Sequence, residues 1–255
     1  MKEWGIDISR WQKGLQLDQF KYCKFAIIKA GGREAGDIYI DSMFLDFYTQ
    51  AKLLGLPVGL YWYTTAVNNV NLQEEIDYLL DKIQGLQFEL PIFLDLEEPV
   101  LYEQSAKLAI YWLNALSDKG YYPGIYSSYS WWLDKLKNVP CDPIQKWLAL
   151  WGDYEDPGYD CGIWQDGVIT TQGIQVDSDY MFTDYLFIKE KGLNGFMTGI
   201  KYSDVSADRN TYKAIQTVTE VGLMKGFKDG TFRPEDPVTR EQLAVVLTRL
   251  LKEVK

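Results

Sequence analysis

Eight short apolar segments recur along this chain, and they restrict it to few folds. They are residues 4–8 (WGIDI), 25–30 (FAIIKA), 57–63 (PVGLYWY), 91–96 (PIFLDL), 123–127 (PGIYS), 147–151 (WLALW), 161–165 (CGIWQ) and 173–177 (GIQVD). Several are apolar on both faces, the pattern of parallel strands covered from two sides. Amphipathic helical stretches separate the earlier ones: 41–54, stopped by Gly55, then 72–84, then 103–119, stopped by Gly120. The later strands follow one another too closely for helices of that length. The expected fold class is α/β, an irregular (β/α) TIM-like barrel whose helices fade toward its end.

Barrels of this kind carry their functional groups at the C-terminal ends of the strands. Here Asp7 ends the first strand, Asp95 and Glu97 the fourth, and Asp177 the last. Tyr61, Trp62 and Tyr63 close the third, Tyr126 the fifth, Trp151 the sixth and Trp164–Gln165 the seventh. Taken singly, an acid there caps a helix and an aromatic fills a core. Four acids on three strand ends, with aromatics on most others, read together as a cleft.

Within ELPIFLDLEEP (89–99), Asp95 and Glu97 are two apart on one strand. Such residues share a face, roughly 6.5–7 Å apart along the chain, with Leu96 turned into the packing. Paired carboxyls at that range suit glycoside hydrolysis, in which one gives a proton and the other stays charged beside the sugar. Proximity and an apolar wall push the two pKa values apart. Glu97, with the longer side chain, is expected to be the general acid and Asp95 the ionised partner. Glu98 points to the opposite face and reads as a solvated loop acid. Trp and Tyr stack on the apolar faces of sugars, so Tyr61, Trp62, Tyr63, Tyr126 and Trp164 are the expected substrate-binding residues. Trp112 and Trp147 are expected in the core.

Composition narrows the chemistry. The chain has 255 residues and no histidine, which excludes Ser-His-Asp and Cys-His catalysis and His-ligated zinc. No metal or cofactor is expected, and carboxylates lead as acid–base groups. No apolar run reaches the roughly 18 residues of a membrane span. MKEWGIDIS has no charged n-region followed by an apolar h-region, so no signal peptide is expected. Cys23, Cys141 and Cys161 lack metal spacing and leave one unpaired, which suits cytosolic synthesis with reduced thiols. Charge is uneven: residues 196–255 carry a net +2 and the rest a net −12. All nine tryptophans precede residue 165. This break implies two domains, and the acidic larger one argues against nucleic acid as a partner.

GIDISRWQ (5–12), FAIIKAGG (25–32), GLYWY (59–63), PIFLDLEE (91–98), YPGIYSS (122–128), IWQ (163–165) and QVDSDYMF (175–182), in this order, resemble the family 25 glycoside hydrolases. These are lysozymes of phage endolysins and bacterial autolysins. The resemblance covers residues 1 to about 190. It implies a flattened β/α barrel that cleaves the β-1,4 bond between N-acetylmuramic acid and N-acetylglucosamine in peptidoglycan. Carried over by position, it implies Glu97 as acid/base, Asp95 as the partner that orients the acetamido group or stabilises charge, and Asp7 and Asp177 as residues that shape the field and hold the sugar. The chain departs from the family in carrying Asp179 where Asn is frequent; Asp177 is taken as the one facing the cleft.

After Leu193 the chain reads NGFMTGIKYSDVS, a linker composition. Helical patterns follow over 208–221 and 240–253, joined by the Gly- and Pro-rich GLMKGFKDGTFRPEDPVT. This small all-α helix-loop-helix closely resembles an S-layer homology module, a type that anchors proteins to acidic secondary polymers of Gram-positive walls. The expected boundaries are a barrel at 1–192, a linker at 193–200 and the module at 201–255. The resemblance implies Thr239 and Arg240 as polymer-binding residues, Arg240 pairing with a carboxylate or ketal; for Thr239 with Gln242, capping-box spacing is the equal alternative. Such modules usually come in threes, and a single one buries little area. The expectation is self-association, as a trimer, through residues 200–255. A shorter product starting at Met197 is a second way to complete it, and an ordinary linker methionine is the alternative. Together these point to a wall-lytic muramidase, a phage endolysin made in the host cytoplasm and acting on the wall. A host autolysin or spore-germination lysozyme, or an inactive glycan-binding protein, are the rivals.

Overall fold

The computed structural model describes residues 2–196, 202–206 and 211–253. The chain divides into two compact units, Met1–Lys189 with Leu193–Gly195, and Glu190–Gly192 with Phe196–Lys255.

The first unit is built on nine strands: β1 (Glu3–Ile8), β2 (Ala26–Glu34), β3 (Asp37–Ile40), β4 (Val58–Tyr63), β5 (Ile92–Asp95), β6 (Pro123–Ser128), β7 (Lys146–Ala149), β8 (Ile163–Thr171) and β9 (Ile174–Met181). Eight of them run in the order β1-β9-β8-β7-β6-β5-β4-β2, and parallel pairing of β1 with β2 closes the barrel. β9 is antiparallel to both neighbours, β1 and β8, whereas the other barrel pairs are parallel.

The departures from the sequence reading have local causes. β3 was not expected; it folds back on β2 through Ala35 and Gly36, both with positive φ, the geometry of a tight primed hairpin turn. The last two expected strands are longer and form one hairpin through Gln172 and Gly173, again both at positive φ. At Gly31, beside a register shift in β2, an added Cβ would sit 2.1 Å from the Tyr39 carbonyl, so only glycine allows β3 to approach.

Between the strands lie α1 (Phe44–Leu53), α2 (Asn69–Lys82), α3 (Ser105–Ser117) and the short α4 (Tyr129–Leu133), and the short α5 (Leu186–Glu190) follows β9. α2 starts where Asn68 accepts the N–H groups of Val70 and Asn71. It buries Leu72, Glu75, Ile76 and Leu79, spaced as one helical face. Glu75 is enclosed yet satisfied, by Arg33 Nε and the Trp62 indole at 2.8 Å each.

Leu193–Gly195, expected as the start of the linker, are part of this unit. Asn194 is fully buried. Its side chain accepts the Tyr122 N–H at 2.6 Å and donates to the Leu90 carbonyl at 2.8 Å. Its backbone bonds Gly120 and Phe88. It thereby ties the segments that lead into β5 and β6.

The second unit contains α6 (Tyr212–Glu220) and α7 (Arg240–Glu253). Tyr202, Val205 and Ile215 form its small core, with Tyr212 and Phe232 against them. Asp204 accepts the backbone N–H groups of Phe232 and Arg233. The residues on which the shorter-product expectation rests, Met197 onward to 201, lie outside the described residues. No described helix is long and apolar enough to cross a membrane.

Candidate active site

A cleft of about 250 Å³ opens at the C-terminal ends of the strands. Asp7, Tyr61, Asp95, Glu97, Tyr126, Trp147, Trp151, Gln165 and Asp177 line it. The four acids singled out in the sequence therefore converge from β1, β5 with the loop after it, and β9. The ladder explains how: Asp7 is opposite Asp177, and Asp95 lies between Tyr63 and Tyr126.

Asp95 forms the floor and is 4% exposed; Glu97 stands exposed at the mouth. Leu96 between them is fully buried. One carboxyl oxygen of Asp95, Oδ1, is enclosed and has no hydrogen-bond partner. Asp7 Oδ2 accepts Gln165 Nε2 at 2.7 Å. Gln165 Oε1 in turn accepts the Tyr126 hydroxyl and the Trp151 indole, at 3.0 Å each. A single buried amide thus holds an acid, a tyrosine and the most exposed tryptophan of the cleft in fixed relation.

Every acid here is pushed toward its neutral form. Burial, then the charge of Asp177, raises Asp7 to about 8, against the bond from Gln165. Burial raises Asp177 to about 6. Burial and then Glu97 raise Asp95 well above the carboxylate range, while Lys29 opposes. Desolvation also raises Glu97, again against Lys29, with Glu98 and Asp177 adding to the rise. Burial thus pushes both Asp95 and Glu97 toward the neutral form. Spacing along a strand does not reveal that Asp95 sits on a dry floor.

Lys29, half-buried on β2, is the cation that tempers this field. Its ammonium lies 5.5 Å from the Tyr61 ring centre and 4.4 Å from that of Tyr63. Burial lowers its own pKa, and Asp95, Asp41 and Glu97 oppose the fall.

Two expected sugar-binding tryptophans are corrected. Trp62 and Trp164 are fully buried. Trp62 bonds Glu75 of α2, and Trp164 bonds the Leu150 carbonyl at 2.8 Å. Strand alternation is the reason: Tyr61 and Gln165 face the cleft, so their neighbours face the surrounding helices and loops. Tyr63 shares the face of Tyr61, but its hydroxyl is hydrogen-bonded to Glu98 and it is not among the lining residues. Glu98 is accordingly held by Tyr63 rather than free in a loop.

Trp147 is buried in the core, as expected, and so is Trp112; the Trp147 ring also contributes to the cleft wall. It packs against Tyr61, Phe93 and Tyr126, with ring centres 5.8, 5.2 and 4.5 Å away. Its indole donates to Asp179 at 2.7 Å. Trp151, 54% exposed, ends the WLALW segment and offers the open aromatic face. Its place after a strand was the signal available. Asp177 lines the cleft, and Asp179 is sealed behind it.

In the second unit Thr239 caps α7: its hydroxyl accepts the Gln242 N–H at 3.1 Å, and Gln242 Oε1 accepts the Thr239 N–H at 2.8 Å. The capping-box alternative for Thr239 with Gln242 is therefore present in the structure. Arg240 follows it, exposed. A separate groove of about 360 Å³ runs between α7 and the preceding loop, lined by Phe227, Phe232, Arg233 and Arg249 among others. Neither Thr239 nor Arg240 lines it. Among the described residues no group of His, Cys, Asp and Glu is arranged to hold a metal.

Comparison with known proteins identifies a family for each part of the chain. The family description "Glycosyl hydrolases family 25" matches residues 6–172, and "S-layer homology domain" matches 201–244. An autolytic lysozyme of Clostridium acetobutylicum is 27% identical over 154 residues, 58% of this chain and 45% of that protein. The chain thus spans less than half the length of this curated relative. The fold is similar to the Clostridium perfringens spore cortex lytic enzyme SleM (TM-score 0.62, 18% identity, 71% of this chain and 67% of that one). It is also similar to the CTP1L endolysin, whose activity is regulated by a secondary translation product (TM-score 0.59, 15% identity, 99% of both chains).

Proposed function

The chain belongs to glycosyl hydrolases family 25, and we propose that it is a peptidoglycan hydrolase, an N-acetylmuramidase that cuts the β-1,4 bond between N-acetylmuramic acid and N-acetylglucosamine. The observation that carries this reading is the convergence of Asp95 and Glu97 on one cleft, with Asp7 and Asp177 opposite and Trp151 open beside them.

Glu97, at the mouth, gives its proton to the leaving glycosidic oxygen as the C–O bond breaks. Asp95, on the floor, has an orphaned oxygen suited to an acetamido N–H. That bond offsets the burial that raises Asp95 and returns it to its charged form, beside the positive charge developing on the sugar. Glu97, now a carboxylate, accepts a proton from the incoming water. Asp7 and Asp177 hold the sugar and keep the cleft electronegative. Trp151, Tyr126 and Tyr61 receive its apolar faces.

The second unit is the wall anchor in this reading, with Arg240 its contact to an anionic wall polymer. α7 exposes Leu243, Leu247, Leu250 and Leu251, spaced as one helical stripe. The stripe supports association of three modules, as a homotrimer or with shorter products starting at Met197. The likeness to CTP1L along nearly the whole chain supports the second arrangement, and with it an endolysin acting at the wall.

The test uses purified Gram-positive cell walls. The wild-type protein should release reducing sugar with N-acetylmuramic acid at the new reducing end, and Glu97→Gln should abolish release while still binding walls. Release by Glu97→Gln, or products with N-acetylglucosamine at the reducing end, would overturn the assignment.

A further inference from the structure

A second carboxyl lies behind the cleft that the proposed chemistry does not use. Asp179, two residues after Asp177 on β9, is fully buried. Backbone pairing with Gly5 of β1 and Gln165 of β8 fixes it from both sides. Its Oδ1 accepts the Trp147 indole at 2.7 Å. Its Oδ2 is enclosed and receives no donor. The charged and titratable groups facing it are Asp7 of β1, Cys23 ahead of β2, Tyr126 of β6 and Asp177 of its own strand. Trp147 of β7 and Gln165 of β8 face it as neutral groups.

An ionised carboxylate only accepts hydrogen bonds, so a sealed oxygen without a donor is costly. Two ionised carboxylates side by side in a dry site repel each other as well. One proton removes both conflicts. Placed on Asp179 Oδ2 and donated to Asp7, it completes an unbroken series. Trp147 donates to Asp179, the protonated Asp179 would donate to the Asp7 side chain beside it, and Gln165 donates to the same Asp7 carboxylate while accepting from Tyr126 and Trp151.

We propose that Asp179 is a positioning residue that works as a neutral acid: its proton, donated to Asp7, holds Asp7, Gln165 and Trp151 in their cleft geometry, and its loss at alkaline pH opens that geometry. Burial and the neighbouring Asp7 raise Asp179, and the bond it donates raises it further while lowering Asp7. An acid raised in the folded state keeps its contribution below the ordinary carboxylate range. It loses that contribution as pH climbs through the folded value.

The activity part rests on the muramidase reading, so the test has an arm that does not. Asp179→Asn offers an amide N–H to Asp7 and a carbonyl to Trp147 with no proton to lose; Asp179→Leu offers neither. In infrared difference spectra at pH 7, wild type minus Asp179→Asn should show one protonated-carboxyl band, and this band should disappear on raising the pH. A carboxylate band in its place overturns the proposal whether or not the protein cuts walls. In wall hydrolysis, Asn should exceed Leu by about tenfold and carry the alkaline limb about one pH unit above wild type. An Asn variant no better than Leu, or an unmoved limb, overturns the positioning role. If Leu does not fold, the spectrum and the Asn profile decide alone.

Discussion

Replacing Asn194 by Ala tests whether residues 193–195 are part of the barrel unit. Two of its bonds are lost, the Tyr122 N–H at 2.6 Å and the Leu90 carbonyl at 2.8 Å. Each orphaned backbone group costs about 1.5 kcal/mol in so enclosed a place. Asn194 also has φ of 52°, a left-handed conformation in which alanine costs about 1 kcal/mol. The combined loss is about 4 kcal/mol, or about 12 °C in Tm for a unit of this size. All nine tryptophans lie in the barrel unit, so tryptophan fluorescence during urea unfolding reports that unit alone. Asn194→Gly should recover about 1 kcal/mol of the loss, because it relieves the backbone but leaves both groups orphaned. A loss below about 1 kcal/mol for Ala would refute the argument and return residue 194 to the linker.

Three further outcomes follow from the site and the module. Trp151→Ala should raise KM for soluble glycan about tenfold, a stacking loss of about 1.4 kcal/mol, whereas Trp62→Phe should lower stability and leave KM unchanged; equal KM effects would contradict the corrected facing of the two residues. Stability should fall as pH rises from about 4 to 6, because folded Asp177 keeps, up to about 6, a proton that the unfolded chain has already released. In denaturant midpoints across pH, Asp177→Asn should flatten this fall, and an unchanged slope would refute the shift. Leu247→Glu with Leu250→Glu should yield single chains by light scattering where the unaltered protein self-associates, and a monomeric unaltered protein would refute the stripe as an interface.

What was legible in the sequence was what depends on local pattern. Strand ends exposed Asp7, Asp95, Glu97 and Asp177, because a buried strand that stops on an acid is a local anomaly. Strand parity in YWY and IWQ is local as well: alternation turns Trp62 and Trp164 out of the cleft and leaves Tyr61 and Gln165 in it. Other features depend on contacts distant in sequence. Trp147 joins the cleft because Asp179, thirty-two residues later, accepts its indole at 2.7 Å. Asn194 sits in a polar, glycine-flanked stretch, and its burial is decided by Leu90 and Tyr122. The raised pKa values of the cleft acids follow from burial, and only three-dimensional packing sets that.

The most direct measurement is a crystal structure of Glu97→Gln with a bound peptidoglycan oligosaccharide of alternating N-acetylmuramic acid and N-acetylglucosamine. The scissile oxygen should lie within about 3 Å of the residue 97 amide, with an acetamido N–H on Asp95 Oδ1 and a sugar face on Trp151. A glycan seated away from Asp95 and residue 97 would contradict the account.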